Sequence, residues 1–415
     1  MSTRIGYKQT DFGVIPSDWD YVPIGELFAF KNGLNKAKKF FGYGTPIVNY
    51  MDVYGQPSLR IEQVTGRVDV SSKELNAYSV RKGDVFFTRT SETVEEIGVA
   101  SVMLDDAENT VYSGFVLRAR PTNDSLSDAF KVYCFSPRYF RQQIAARASY
   151  TTRALTNGRS LSAALLARPP FPEQRAIATV LSDMDALLMG LTRLIKKKRD
   201  LKQAAMQQLL TGQTRLPGFQ GEWETKQLGD ICEISMGRTP PRLNQAFWGR
   251  GYTWLSIADL KSKVVSESKE QITALAASMM TIIPKGTLLM SFKLSIGRLC
   301  FAGRDLFTNE AICGFNKLQA NPEFLYYALS RTDFSLYGKQ AVKGYTLNKE
   351  SLKIVEVRLP SLEEQVAIGA VLSDMDAELS ALEARRDKTR ALKQAMMQEL
   401  LTGKTRLLDV EGRTS

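Results

Sequence analysis

Residues 169–216 read PPFPEQRAIATVLSDMDALLMGLTRLIKKKRDLKQAAMQQLLTGQTRL, and residues 360–407 read PSLEEQVAIGAVLSDMDAELSALEARRDKTRALKQAMMQELLTGKTRL. The two stretches align without a gap at a shift of 191 residues, and 29 of the 48 positions are identical. Chance does not produce that agreement. The period is far longer than that of any solenoid, so it marks the tandem duplication of a whole domain.

Each stretch has the pattern of one long helix. Glu173 and the Glu363-Glu364 pair place acids in an opening turn, where a helix N-terminus favours them. Pro172 adds a proline there, which suits a first turn. Apolar residues then recur at steps of three and four: Ile177, Leu181, Met184, Leu188, Leu191 and Ile195 in the first copy, and Ile368, Leu372, Met375, Leu379 and Leu382 in the second. That is a heptad seam. Leu201, Leu209, Leu392, Met396 and Leu400 extend the stripe, and Gly212 and Gly403 stand where a helix C-cap is expected. A helix this long with one apolar stripe needs a partner, and its own repeat is the nearest, paired antiparallel as a spacer.

Upstream of the helices the copies diverge but keep a skeleton. Trp19, Gly25 and Gly33 match Trp223, Gly229 and Gly237 at a shift of 204. Asp52 corresponds to Asp259, Lys82-Gly83 to Lys285-Gly286, Ile97-Gly98 to Ile296-Gly297, and Asn157 to Asn348. Short β-rich runs (Val85–Thr88, Tyr112–Ala119, Thr287–Phe292) are followed by helical stretches at Asp128–Ile144 and Pro322–Leu329. The expected fold class is α+β: two mixed α/β lobes at 1–168 and 217–359, and shared spacer helices at 169–216 and 360–408. A tail follows at 409–415. The helices form an antiparallel two-helix coiled coil with an internal pseudo-two-fold repeat.

Composition narrows the function. Of 415 residues 44% are hydrophobic and 24% charged, the balance of a soluble globular protein. No apolar run reaches the length of a membrane span, and the first residues lack the apolar stretch of a signal peptide. The cysteines, at 134, 232, 300 and 313, are unclustered, so free thiols in a cytoplasmic protein are expected. There is no histidine, which removes His-based acid/base catalysis, Ser-His and Cys-His nucleophiles and Cys/His zinc sites. Gly403-Lys404-Thr405 looks like the tail of a phosphate loop, but it follows a helix where such a loop precedes one, and the glycine five positions earlier is Gln398. The pairs Asp183/Asp185 and Asp374/Asp376 project about 200° apart on a helix, so neither chelates one ion. They fit a solvated or subunit-docking face. No catalytic and no metal-binding residue is expected.

The net charge of +11 points instead to an anionic partner, nucleic acid first. From Ala129 to Pro172 there is no Asp or Glu, while Lys131, Arg138, Arg141, Arg147, Arg153, Arg159 and Arg168 are interleaved with aromatic residues. The candidate DNA contacts of the first lobe are Lys36, Lys38, Arg89, Thr90, Ser91, Arg147, Arg153, Asn157 and Arg159. Those of the second are Arg238, Thr239, Arg242, Lys293, Lys339, Lys343 and Tyr345. Arginine forks suit phosphates and guanine edges, and asparagine suits adenine. A solvated basic surface is the competing reading of each single residue.

Two lobes, each followed by a helix carrying Val-Leu-Ser-Asp-Met-Asp and ending Leu-Leu-Thr-Gly-x-Thr-Arg-Leu, resemble the specificity subunit of a type I restriction-modification system. Trp254-Leu-Ser-Ile-Ala-Asp-Leu, Gly237-Arg-Thr-Pro, Ser295-Ile-Gly with Thr308-Asn-Glu, and Arg89-Thr-Ser-Glu-Thr continue the likeness. The resemblance implies two target-recognition domains, each reading one half of an asymmetric bipartite site in double-stranded DNA. It implies helices that set the gap and dock two methyltransferase subunits, which motor-nuclease subunits join. S-adenosylmethionine, ATP and Mg²⁺ would belong to those partners, with no cofactor in this chain. A free-standing DNA-binding regulator and a coiled-coil assembly scaffold are the alternatives. The first does not need two near-identical long helices, and the second does not need an acid-free arginine stretch.

Overall fold

The computed structural model describes residues 6–408 except 12, 151, 294, 342 and 343, and of 339–341 and 344–346 only the backbone. The chain divides into two compact units: Met1–Thr192 together with Arg385–Ser415, and Arg193–Ala384.

Both units are built round the same two sheets. In the first, a five-stranded sheet has the order Phe28–Asn32, Val116–Pro121, Val85–Thr88, Ala100–Met103, Ser58–Leu59. Its neighbours are antiparallel except the last pair, which is parallel. The second repeats it with Glu233–Met236, Ile312–Asn316, Leu288–Ser291, Leu299–Ala302 and Val264–Val265, in the same relative directions. The inner strands Val85–Thr88 and Leu288–Ser291 are buried at every residue, so they read as apolar runs with no alternation. A three-stranded sheet accompanies each: Val111–Tyr112, Phe41–Val48 and Arg67–Val68 in one, and Phe307–Thr308, Trp248–Leu255 and Glu270–Ile272 in the other.

The shared skeleton now has physical reasons. A Cβ at Gly33 would lie 2.0 Å from the Ser113 carbonyl oxygen, and one at Gly237 2.2 Å from that of Asn309, so both positions exclude any side chain. Asp52 and Asp259 each accept a hydrogen bond from the backbone N–H of the residue three before, closing the turn that follows a strand. Gly83, Gly98, Gly286 and Gly297 lie in the left-handed region, with φ between +64° and +85°. The expected C-cap glycines Gly212 and Gly403 do so too, with φ of +71° and +70°.

The repeated stretches are helices of 39 residues, Phe171–Leu209 and Leu362–Leu400. Their apolar positions pack into the lobes. Ile177 and Leu181 belong to one buried cluster with Trp19, Phe130 and Leu166 of the first unit and with Met397, Leu400 and Leu401. Ile368 and Leu372 belong to another with Leu228, Phe324 and Leu352 of the second unit and with Leu209. Leu191, Ile195 and Leu379 are buried, whereas Met184, Leu188, Met375 and Leu382 are half-buried. Leu201 and Leu392, expected to extend the stripe, are about half exposed, at 47% and 53%. Both stand one position short of the heptad phase, which falls on Lys202 and Lys393, so their side chains turn off the buried stripe.

The acidic pairs also differ from expectation. Asp183 and Asp374 are exposed, but Asp185 and Asp376 are internal ligands of their own units. Asp185 accepts from the Tyr133 hydroxyl at 2.9 Å and pairs with Lys393 at 2.5 Å. Asp376 accepts from the Tyr327 hydroxyl at 2.5 Å and pairs with Lys202. Residues two apart on a helix face opposite ways, so one member of each pair reaches the lobe and the other faces water.

Candidate nucleic-acid interface

In the first unit Asn49–Val53 turns the chain out of the strand Phe41–Val48, and Thr90–Ser91 pairs with Ala154–Leu155. These segments enclose a cleft of about 480 Å³ lined by Tyr50, Met51, Tyr54, Thr90, Ser91, Glu92, Glu96, Phe115 and Arg153. Four of the sequence candidates therefore gather at one place, since Arg89 adjoins the cleft and donates to the Gly114 carbonyl at 2.9 Å. Arg153 pairs with Glu92 at 3.1 Å, both well exposed. Tyr50 and Tyr54 stack with ring centroids 5.6 Å apart. A hydrogen bond to Glu96 raises the Tyr54 hydroxyl above its ordinary value, and burial does the same for Tyr50. Phe115 and Met51 stand largely exposed beside them. The cleft thus presents aromatic faces, one guanidinium and two carboxylates.

Other candidates of this unit are placed elsewhere or occupied. Lys36 pairs with Glu74 at 2.9 Å and lies over the Phe40 ring, which makes it part of the fold. Lys38 is exposed on the short helical turn Lys38–Phe40. Asn157 caps the helix Gly158–Ser162 by accepting from the Ser160 N–H at 3.0 Å, as Asn348 caps Lys349–Lys353. Arg147 and Arg159 are exposed and do not line the cleft. The acid-free arginine stretch is only partly a surface. Arg141 donates to the backbone carbonyls of Glu95, Ile97 and Gly98, and Lys131 is 4% exposed and bonded to Asp128 at 2.6 Å. A count of acids along the chain does not see carbonyl partners, nor an aspartate just upstream of the stretch.

In the second unit Arg238, Thr239 and Arg242 lie on one loop, and Glu310 connects them to Lys293. Thr239 donates to Glu310, and this hydrogen bond, helped by the charges of Lys293 and Arg242, holds the Glu310 carboxyl below its ordinary value. Arg242 pairs with Glu270 at 2.7 Å and lies over Trp248 and Trp254. Arg238 and Lys293 are exposed. Lys339 and Tyr345 fall on the strands Lys339–Ala341 and Gly344–Thr346, of which the backbone alone is described, and Lys343 lies outside the described residues.

One duplicated feature escaped the reading of motifs. Phe41-Gly-Tyr-Gly-Thr45 and Trp248-Gly-Arg-Gly-Tyr252 both break the register of the long strand of the smaller sheet. A Cβ at Gly44 would meet the Val68 carbonyl oxygen at 2.9 Å, and one at Gly251 would meet that of Ile272 at 2.5 Å. The bulge leaves Tyr43 exposed in one unit and Arg250 in the other. Its signal was the aromatic-Gly-x-Gly spacing, legible only once the two copies are laid strand on strand.

Among the described residues no cluster of His, Cys, Asp or Glu is placed to hold a metal ion. Likewise no helix among them is long and apolar enough to cross a membrane.

The chain is similar over 97% of its length, and over 97% of theirs, at 24% identity, to a protein of Methanocaldococcus jannaschii provisionally designated the type I restriction enzyme MjaX specificity subunit. It is 33% identical over 167 residues, 37% of this chain and 38% of the other, to the type I restriction enzyme MjaIX specificity subunit of the same organism. Its fold is similar to that of the type I restriction-modification system S subunit from M. genitalium, with a TM-score of 0.56 at 17% identity, covering 92% of this chain and 96% of that one. The family described as the type I restriction modification DNA specificity domain matches twice, over residues 16–202 and 220–390. Each match takes in one lobe and the greater part of the helix after it, so the chain belongs to the type I restriction modification DNA specificity domain family.

Proposed function

We propose that this chain is the non-catalytic DNA-recognition subunit of a type I restriction-modification complex. Its target-recognition domains lie at 1–168 and 217–359, each reading one half of a bipartite site in double-stranded DNA. The observation that carries this reading is one fold used twice with different side chains at matching places. Arg89-Thr-Ser-Glu92 follows an inner strand in one domain and Phe292-Lys293 follows it in the other, while Tyr43 answers Arg250. Equal frames with unequal contact residues suit an asymmetric target. Arg89, Thr90, Ser91 and Arg153 in one domain, and Arg238, Thr239, Arg242 and Lys293 in the other, are the contacts we assign first.

The helices 169–216 and 360–408 pair antiparallel as a coiled coil and set the gap between half-sites. Support comes from ion pairs inside each unit: Lys198 meets Glu378 at 2.6 Å and Arg215 meets Glu364 at 2.5 Å, while Lys393 meets Asp185 and Arg406 meets Glu173. As one residue number rises its partner's falls. The partners are two methyltransferase subunits and, in the full complex, motor-nuclease subunits, in the cytoplasm. S-adenosylmethionine, ATP and Mg²⁺ belong to them.

The test is to co-express the chain with its methyltransferase in a methylation-free host and map modified adenines across the genome. A two-part motif with an unspecified gap is expected. A soluble complex that modifies no such motif overturns the reading.

A further inference from the structure

In the second domain, Pro241-Arg-Leu-Asn244 forms a tight turn closed by the Asn244 N–H donating to the Pro241 carbonyl at 3.2 Å. All four residues are exposed, and three of them hold partners. The Pro241 carbonyl also accepts from the Trp248 indole N–H at 3.1 Å. The Arg242 guanidinium lies 4.1 Å above Trp248 and 4.9 Å above Trp254, and pairs with Glu270 at 2.7 Å. The Asn244 side chain accepts from the Ala246 N–H at 3.0 Å, capping the next helical turn. Below the turn the Trp254 indole N–H bonds the Arg238 carbonyl at 3.0 Å, and the two indoles pack edge to face at 4.9 Å. Leu243, between them, is 99% exposed.

We propose that Leu243 is a base-reading residue of the second domain and packs against the 5-methyl group of a thymine in the major groove; this rests on the DNA-recognition reading above. An isolated exposed leucine is ordinary on a protein surface. This one is held out by a turn whose stacked arginine, paired indoles and caps fix it in place, on the loop that carries exposed Arg238 and in the domain that carries exposed Arg250 and Lys293. Such charge selects a polyanion as the occupant over a membrane interior or an apolar protein face. A leucine forms no hydrogen bond with a base edge, and the thymine methyl is the apolar group that the major groove displays. A fixed apolar tip also meets its target without paying to order a loop. The first domain has a shorter loop here, with exposed Lys38 and Lys39 on the turn Lys38–Phe40. The thymine contact therefore belongs to one half-site only.

The experiment uses the full chain in complex with its methyltransferase and duplexes bearing the motif found by genome mapping. Each thymine of the half-site read by the second domain is replaced in turn by deoxyuridine, which lacks only the methyl group. Wild type should bind about fourfold more weakly at one position, the equivalent of one methyl-sized group left exposed. Leu243→Ser and Leu243→Ala should assemble normally, keep the other half-site, and bind thymine and uracil duplexes equally. Equal wild-type binding at every position, a half-site with no thymine on either strand, or full discrimination retained by Leu243→Ser would each overturn the assignment. Absence of any bipartite motif from wild type would instead remove the DNA-recognition reading, and this inference with it.

Discussion

Glu173 is 1% exposed and holds two partners. It accepts from the indole N–H of fully buried Trp19 at 2.9 Å, and its carboxylate takes the Arg406 guanidinium at 2.6 and 3.1 Å. Arg406 also grips Asp18 through two bonds, at 2.8 and 2.9 Å. Glu173→Ala would strand the indole donor, at a cost of about 1–3 kcal/mol, and would remove one side of a buried ion pair, for which about 3–5 kcal/mol is usual. Because Arg406 keeps Asp18, the low end of each applies, and we expect a total of about 4 kcal/mol. For a unit of this size that lowers the melting temperature of its transition by roughly 8–16 °C. Glu173→Gln retains an acceptor for Trp19 and loses only charge, so it should cost about 1–2 kcal/mol. Scanning calorimetry of the full chain measures both. A Glu173→Ala protein melting within about 2 °C of wild type, or a Gln variant as damaged as the Ala variant, would refute the reasoning.

Leu181→Asp and Leu372→Asp each put a carboxylate into a core shared by a lobe and a helix. Each should cost at least about 4 kcal/mol and loosen its own lobe first; amide exchange confined to the helices would count against that. The depressed Glu310 carboxyl makes its contribution above the unfolded value, near the ordinary 4.5, and loses it as pH falls through its lower folded value. The stability difference between wild type and Glu310→Gln in urea should therefore be flat above about pH 5 and shrink below about pH 4. A difference that grows on acidification would reverse the assigned sign.

Much of this was legible because duplication writes each structural rule twice. Gly33 with Gly237 and Asp52 with Asp259 could be paired by spacing, and each pair has one steric or capping reason. Arg141 and Lys131 misled, since a basic residue that satisfies buried carbonyls or one aspartate looks in sequence like a basic residue that awaits phosphate. Asp185 and Asp376 looked like surface because their hydroxyl partners, Tyr133 and Tyr327, lie about fifty residues upstream. The first cleft was half visible: Arg89, Thr90, Ser91 and Arg153 carried a charge or motif signal. Tyr50, Tyr54, Glu96 and Phe115 join them only through the crossing of strands distant in sequence.

The first unit draws its last buried residues, Met397, Leu400 and Leu401, and its Arg406 clamp from the far repeat, whereas the second is one unbroken segment, Arg193–Ala384. A ribosome therefore delivers everything the second unit needs before the first can finish. At about 5–20 residues per second, the roughly 200 residues between Thr192 and Leu400 mean a wait on the order of 10–40 s. During that time Ile177 and Leu181 can already pack with Trp19, Phe130 and Leu166, but the part of the core that Met397, Leu400 and Leu401 complete stays open. The domain made first is the one completed last, and a nascent-chain holdase has most to do there.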